Sequence, residues 1–418
     1  METDSTTAAK LAGLNISERT EPGITRIKLE SSPNKEGPQP VIAFEYKLPN
    51  GEQVVDEERI LNLNSLAVPP AWTDVWFCVD DRGHIQATGK DARGRLQYRY
   101  HPDWNAIKAD LKFANVDEFA MMLPRLRDRV EADLTLTGMP LVKSIALVIR
   151  LMDIYHIRVG SDEYAKQNDS YGLTTLKEGH VKFVKGEPAE GKIDAILKFT
   201  GKSGKQWRLL IEDDDLASMI ETSGKVGGRN KSQDLFRYVD VYGNDYDVKA
   251  EHINNYIEEA LDVRYTAKAF RTWSASWKTG ARLALVATAS ENLIANIPKL
   301  TKKELARVEG MEEEPIIIWR NTQLKRPEAL AKLAKAGKLQ GHLESERLAT
   351  MLAVIDTVAA DLGNTRTVCR TSYIRPMFLD DWMSGKFENR WQDASTLKRV
   401  PGLNREESTA VHYMRTHE

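Results

Sequence analysis

Cysteine is scarce in this chain: two in 418 residues, Cys78 and Cys369, far apart and without CxxC spacing. Such scarcity excludes a disulfide-dense secreted scaffold and a cysteine-built zinc site, and it fits a reducing interior such as the cytoplasm. The eight histidines are scattered, with no HExxH and no close His/Cys pairing, so no metal or other cofactor is expected. No apolar run at either end is long enough to span a bilayer, and the opening Met1-Glu2-Thr3-Asp4 is acidic. Neither a membrane partner nor an export signal is therefore expected. An excess of positive charge is missing too, with 59 Lys and Arg against 61 Asp and Glu, a net charge of -2. Taken alone, that balance argues against a nucleic-acid partner, because phosphate neutralisation supplies most non-specific affinity.

What is present modifies that picture. Hydrophobic residues make up 41% and charged residues 29%, the mixture of a soluble globular protein, and the length allows two or three domains with their own cores. The charge average also conceals patches. Between Arg82 and Lys108 the cations Arg82, Lys90, Arg93, Arg95, Arg99 and Lys108 outnumber Asp91 and Asp103, and residues 263–290 hold Arg264, Lys268, Arg271, Lys278 and Arg282 with no acid. A single charge run is usually a solvated face; two runs interleaved with aromatics point to a polyanion.

The pattern along the chain predicts an α+β fold. Residues 1–38 are rich in Thr, Ser, Glu, Gly and Pro and read as a mobile arm. A small β-rich N-terminal domain is expected over 39–104, with strands near 41–46, 75–79, 84–88 and 96–101 and one helix between them. From there Phe119, Met122, Leu123, Leu126 and Val130, then Leu141, Ile145, Val148 and Leu151, recur at helical spacing and open a larger, mainly helical domain over 105–390. It holds a three-stranded β insert at 181–184, 193–199 and 206–211. Residues 299–343 read as a charged insertion, helical or mobile, and 391–418 as a C-terminal tail.

Four segments stand out for chemistry: Ile157-Arg158-Val159-Gly160, the turn holding Gly201-Lys202, the run Thr266-Ala267-Lys268-Ala269-Phe270-Arg271, and Gly363-Asn364-Thr365 with Ser372-Tyr373-Ile374-Arg375-Pro376. At these positions, from about Val68 to about Trp382, the sequence resembles the type IB DNA topoisomerases of the bacterial and poxvirus-like kind. The resemblance implies a tyrosine recombinase/topoisomerase IB-like fold and a catalytic set of Arg158, Lys202, Arg271, Asn364 and Tyr373. It further implies that the block from Lys90 to Tyr100 lies against the duplex. DNA contact is accordingly expected of Lys90, Arg93, Arg95, Gln97, Tyr98 and Tyr100, and also of Lys205 and Lys268. For Tyr98 and Tyr100 a second reading stays open, because strand alternation puts them on one face with Leu96, where they could be core. Thr371 stands where relatives commonly carry lysine, and Arg375 is the cation expected to serve there. Trp273 and Trp277 are assigned to packing.

In the implied mechanism Tyr373 is the nucleophile, forming a 3'-phosphotyrosyl bond and releasing a 5'-hydroxyl end. Arg158, Arg271 and the Asn364 amide stabilise charge on the phosphate oxygens, and Lys202 protonates the leaving oxygen, with Lys205 its nearby competitor. One phosphodiester is exchanged for another, so neither ATP nor metal is needed. The partner is supercoiled double-stranded DNA, held by a monomer that clamps the duplex in the nucleoid-associated cytoplasm. Two alternatives remain at this point: a tyrosine site-specific recombinase, and a non-catalytic duplex DNA-binding protein. Against the recombinase, Lys268 stands three residues before Arg271, where recombinases usually carry His.

Overall fold

A computed structural model describes residues 5–29, 44–185, 193–288, 316–319, 322–323 and 344–416. The chain forms two compact units, divided between Ala114 and Asn115.

The first unit is built on three antiparallel strands, β3 (Thr73–Phe77), β4 (Ile85–Lys90) and β5 (Leu96–Tyr100), in that order. A hairpin of β1 (Thr25–Lys28) and β2 (Phe44–Lys47) joins the same core through Ile24, which exchanges backbone hydrogen bonds with Phe77 at 2.8 and 2.9 Å. Ile24, Tyr46, Leu63, Phe77 and Ala87 fill that core. α2 (Glu57–Ser65) covers it, started by Asp56, whose carboxylate accepts the backbone N–H groups of Glu58 and Arg59. α1 (Ser5–Leu11) buries Ala8 and Ala9 against Trp104 of α3 (Pro102–Ala114).

Two expectations change here. Residues 5–29 do not stand apart as an arm, because Ala8, Ala9, Leu14 and Ile24 are buried in the unit's cores, although Leu11, Ile16, Ile27 and Leu29 stay exposed. The helix that follows β5 also belongs to this unit, so the unit runs ten residues beyond the expected boundary at 104, to Ala114.

The second unit is mainly helical. Its long members are α4 (Val116–Leu134), α5 (Leu141–Tyr155), α8 (Ala250–Leu261), α9 (Ala267–Thr288) and α10 (Glu344–Asp361), with α6 (Asp162–Asn168) and α7 (Asp214–Gly224) between them in the chain. α11 (Arg366–Ser372), α12 (Pro376–Met383), α13 (Phe387–Thr396) and α14 (Arg405–Thr416) complete it. α9 is the axle: it packs against α4, α5, α8, α10, α12, α13 and α14. Every residue from 271 to 280 in it is buried, including Arg271, Ser274, Ser276 and Lys278. Gly280 lets neighbours approach closely, since a Cβ there would stand 2.5 Å from the Trp391 ring.

The strand insert is larger than the three strands expected. β6 (Val181–Lys185), β7 (Ile193–Gly201) and β8 (Lys205–Ile211) form antiparallel pairs. β11 (Ile316–Trp319) then adds to β8 in parallel, with β12 (Thr322–Gln323) outside it. A separate hairpin joins β9 (Arg237–Val239) and β10 (Asp245–Asp247). The rest of the 299–343 insertion lies outside the described residues. Residues 391–416 are not a loose tail: α14 seats Tyr413 in the interior, stacked on Phe378 at 5.0 Å, with its hydroxyl donating to Asp381 at 2.6 Å.

Candidate active site

Arg158 owes its position to the end of α5. His156 takes the left-handed conformation (φ 58°) that stops the helix, and the chain leaves extended. The strand-like segment is pinned by Leu173 and Thr174, whose N–H groups donate to the carbonyls of Arg158 and Val159 at 2.8 and 2.6 Å. Gly172 is required there, because a Cβ would meet the Arg158 carbonyl at 2.6 Å. The half-buried Arg158 side chain then reaches Asn364, donating from Nη2 to Oδ1 at 2.5 Å.

Arg271 comes from α9 and is buried. Its fork donates to the carbonyl of His156, to that of Leu362 at 2.7 Å, and to Asn364 Oδ1 at 3.3 Å. All three acceptors are uncharged. A buried cation with no anionic partner is costly, and burial, with the charge of Arg158 adding to it, lowers the guanidinium to about 10.

Asn364 follows α10 after Gly363, which turns the chain with φ 62° while Trp207 leaves no room for a Cβ. Its Oδ1 thus holds both arginines, and its buried Nδ2 has no hydrogen-bond partner among the described residues. Tyr373 closes α11, its N–H donating to the Cys369 carbonyl at 3.0 Å. Arg271 lies over the phenol ring at 5.1 Å. Burial pushes the Tyr373 hydroxyl up, but the charge and hydrogen bond of Arg271, with the charges of Arg158 and Lys268, outweigh it, and the net shift is downward.

Lys202 opens the turn between β7 and β8, where Ser203 and Gly204 take positive φ (64° and 73°). It is exposed, with its ammonium 5.8 Å from the Tyr164 ring of α6. An open cavity of about 300 Å³ collects these groups, lined by Arg158, Tyr164, Lys202, Lys268, Arg271 and Tyr373. Lys205, exposed at the start of β8, does not line it. Two forked cations and an acidified phenol around one opening, with the Asn364 amide buried behind the arginines, can bind a phosphodiester and attack it.

Several sequence readings change at this level. Lys278 and Arg282, expected on a DNA-facing basic run, are buried with Arg271 inside the helical unit. Arg375 does not stand in for a surface lysine at Thr371; it is buried and paired with Asp117 at 3.5 Å. Trp273 and Trp277 are buried. Sequence reasoning missed Tyr164, which has no motif of its own, and Ser276. The Ser276 hydroxyl donates to the Tyr373 carbonyl at 3.2 Å and accepts the Arg375 N–H at 3.1 Å, tying the tyrosine loop to α9. Only its place five residues after Arg271 on one helix could have signalled it.

In the first unit, the face of β5 that carries Leu96, Tyr98 and Tyr100 is solvent-facing and not core. Tyr98 stacks on Tyr100 at 5.8 Å, and Tyr100 on Trp104 at 6.1 Å. Lys90 pairs with Asp74 at 3.0 Å, Arg95 and Gln97 both bind Asp91, and the Arg93 side chain is exposed. Among the described residues no three His, Cys, Asp or Glu are grouped to hold a metal ion, and no helix is long and apolar enough to cross a membrane.

Fold and site together define a class: an α+β protein whose helical unit sets a tyrosine beside two arginines and an asparagine amide, as expected of tyrosine-dependent DNA strand transfer. A family model described as eukaryotic DNA topoisomerase I, catalytic core, matches residues 103–377, more than half of the chain. A second, bacterial DNA topoisomerase IB, N-terminal domain, matches residues 43–91. The DNA topoisomerase 1B of Acanthamoeba polyphaga mimivirus is 33% identical over 235 residues, covering 55% of this chain and 66% of that protein, just under two thirds of its length. The chain belongs to the type IB DNA topoisomerase family.

Proposed function

We propose that this chain is a DNA topoisomerase that relaxes positive and negative supercoils by cutting and resealing one strand of duplex DNA through Tyr373. The observation that carries the reading is the buried Arg271 fork, which has no acidic partner among the described residues and shares Asn364 with Arg158 beside the Tyr373 phenol.

A strand phosphate entering the cavity supplies the negative charge that Arg271 lacks. Arg158, Arg271 and the orphan Nδ2 of Asn364 then bind its non-bridging oxygens more strongly as charge grows on them during attack. The Tyr373 phenol gives its proton to solvent as its oxygen bonds to phosphorus, and the P–O bond to the 5'-oxygen breaks as that oxygen takes a proton from Lys202, which solvent then reprotonates. The product is a 3'-phosphotyrosyl link and a 5'-hydroxyl strand end. The reverse attack restores the phosphodiester and frees the tyrosine, so bond energy is conserved and the cycle uses no nucleotide and no metal. Torsion in the duplex turns the free end while the strand is open. The protein acts as a monomer, and Tyr98, Tyr100, Arg93 and Lys268, all exposed, supply duplex contacts.

The test is relaxation of supercoiled plasmid in EDTA without ATP, with adducts trapped by SDS. Relaxation and a covalent adduct are expected from the native chain, and neither from Tyr373→Phe. Activity that disappears with EDTA, or survives in Tyr373→Phe, overturns the proposal. A two-site DNA that recombined would favour the recombinase reading.

A further inference from the structure

α9 buries two cations that the proposed mechanism does not use. Lys278 Nζ lies 3.1 Å from Asp361 Oδ2, and Arg282 donates to the same oxygen. The side chains of Lys278 and Asp361 are each 1% exposed. Arg282 also donates to Thr357 Oγ1 at 2.9 Å, while Asp361 Oδ1 is buried with no hydrogen-bond partner among the described residues. Each interior ion costs several kcal/mol to desolvate, and an apolar trio of similar volume often serves stability as well or better. What such a cluster does well is fix one arrangement of the elements it joins.

The elements joined here are α9 and the end of α10. Asp361 is the last residue of α10. Leu362 follows, and its carbonyl accepts from Arg271 at 2.7 Å. Gly363 turns the chain against Trp207, and Asn364, held by its N–H to the Ala359 carbonyl at 2.7 Å, accepts from both arginines. One clamped carboxylate therefore lies within three residues of each acceptor that this loop offers to the site. His156, whose carbonyl holds Arg271 from the other side, is buried beside the same cations, with Nδ1 3.1 Å from Ser274 Oγ.

We propose that Lys278 and Arg282, acting through Asp361, are positioning residues that lock the Asn364 loop to α9 and so aim the two guanidinium groups at the strand phosphate. This rests on the reading that Tyr373 attacks a phosphodiester. Neither cation touches DNA; each works by holding Asn364 where both arginines reach it.

Lys278→Met leaves Asp361 and Arg282 as a charge-balanced pair in the same volume. With protein in excess over supercoiled plasmid and SDS quenching, this variant should form adduct about tenfold more slowly, a coupling ordinary for residues in one network. Plasmid affinity should stay within about twofold, since no contact to DNA is removed. In an Asn364→Ala background the same substitution should cost less than about twofold, because the residue it positions is gone. Arg282→Met, also charge-balanced, is the second variant should Lys278→Met not fold. A full tenfold loss in the Asn364→Ala background, or an unchanged rate in the native background, overturns the proposal. No adduct from the native chain is a different result, which sinks the Tyr373 reading itself.

Discussion

Arg271→Lys keeps the charge and removes the fork, and the structure says what that must cost. The guanidinium donates to the carbonyls of His156 and Leu362 and to Asn364 Oδ1, acceptors contributed by two separate segments of the unit. A compact ammonium on a flexible stem cannot span that triangle and still present a donor to a phosphate oxygen. Two effects follow. Each buried acceptor left bare costs about 1–3 kcal/mol, so thermal unfolding should show a loss of a few kcal/mol. Losing a donor aimed at transition-state charge costs about 3 kcal/mol, which is roughly a hundredfold in rate. The assay is adduct formation on excess protein with supercoiled plasmid, run well below the variant's melting transition, together with plasmid affinity at the same salt. Cleavage slowed by two orders of magnitude with near-native affinity is the expected result. A rate within about fivefold of native would refute the reasoning, since the fork would then be a brace for two carbonyls and nothing more.

Other perturbations separate the remaining groups. In ultraviolet titration, the difference between native protein and Tyr373→Phe should show one phenol ionising below the ordinary tyrosine value, because Arg271, Arg158 and Lys268 outweigh burial there; a midpoint at or above that value would contradict the electrostatic account. Lys202→Ala should slow cleavage about 10²–10⁴-fold on an oxygen leaving group, and a substrate with sulfur at the bridging 5' position, which leaves unprotonated, should recover most of the rate. Lack of recovery would remove Lys202 from proton transfer. Gly363→Ala puts a Cβ 2.4 Å from the Trp207 ring at φ 62°, so it should destabilise by about 1–3 kcal/mol and slow cleavage as well; a native melting curve would mean that the loop yields easily.

The part of this protein that could be read from sequence was the part encoded locally. Alternation and turn residues marked β6, β7 and β8 to within a few residues, and apolar spacing marked α4 and α5. The cluster of Arg158, Arg271, Asn364 and Tyr373 was anticipated from the resemblance to the type IB topoisomerases, and the structure brings those four together, with Lys202 lining the same cavity as Arg158, Arg271 and Tyr373. What failed was inference about where charges go. Lys278 and Arg282 looked like part of a DNA-facing basic run because no acid stands near them in the sequence; their partner, Asp361, is 79 residues beyond Arg282. Arg375 likewise finds Asp117 from the opposite end of the helical unit. β11 reaches the β insert from more than a hundred residues after β8, a parallel pairing with no local signature. The terminal segments misled for a related reason: a few small apolar residues, Ala8 and Ala9 among them, suffice to seat a short helix.

The order in which the site's parts leave the ribosome has a consequence. Arg158 and Arg271 precede the loop that must hold them in register, and Tyr373 is the last of the five to be made. Until α10 and α11 settle on α9, the phenol has no cation beside it and the guanidinium groups have no shared amide. Under the proposed function, a chain made in full but not yet folded therefore carries the strand-cutting groups in inert form, and they act only once the interior has closed.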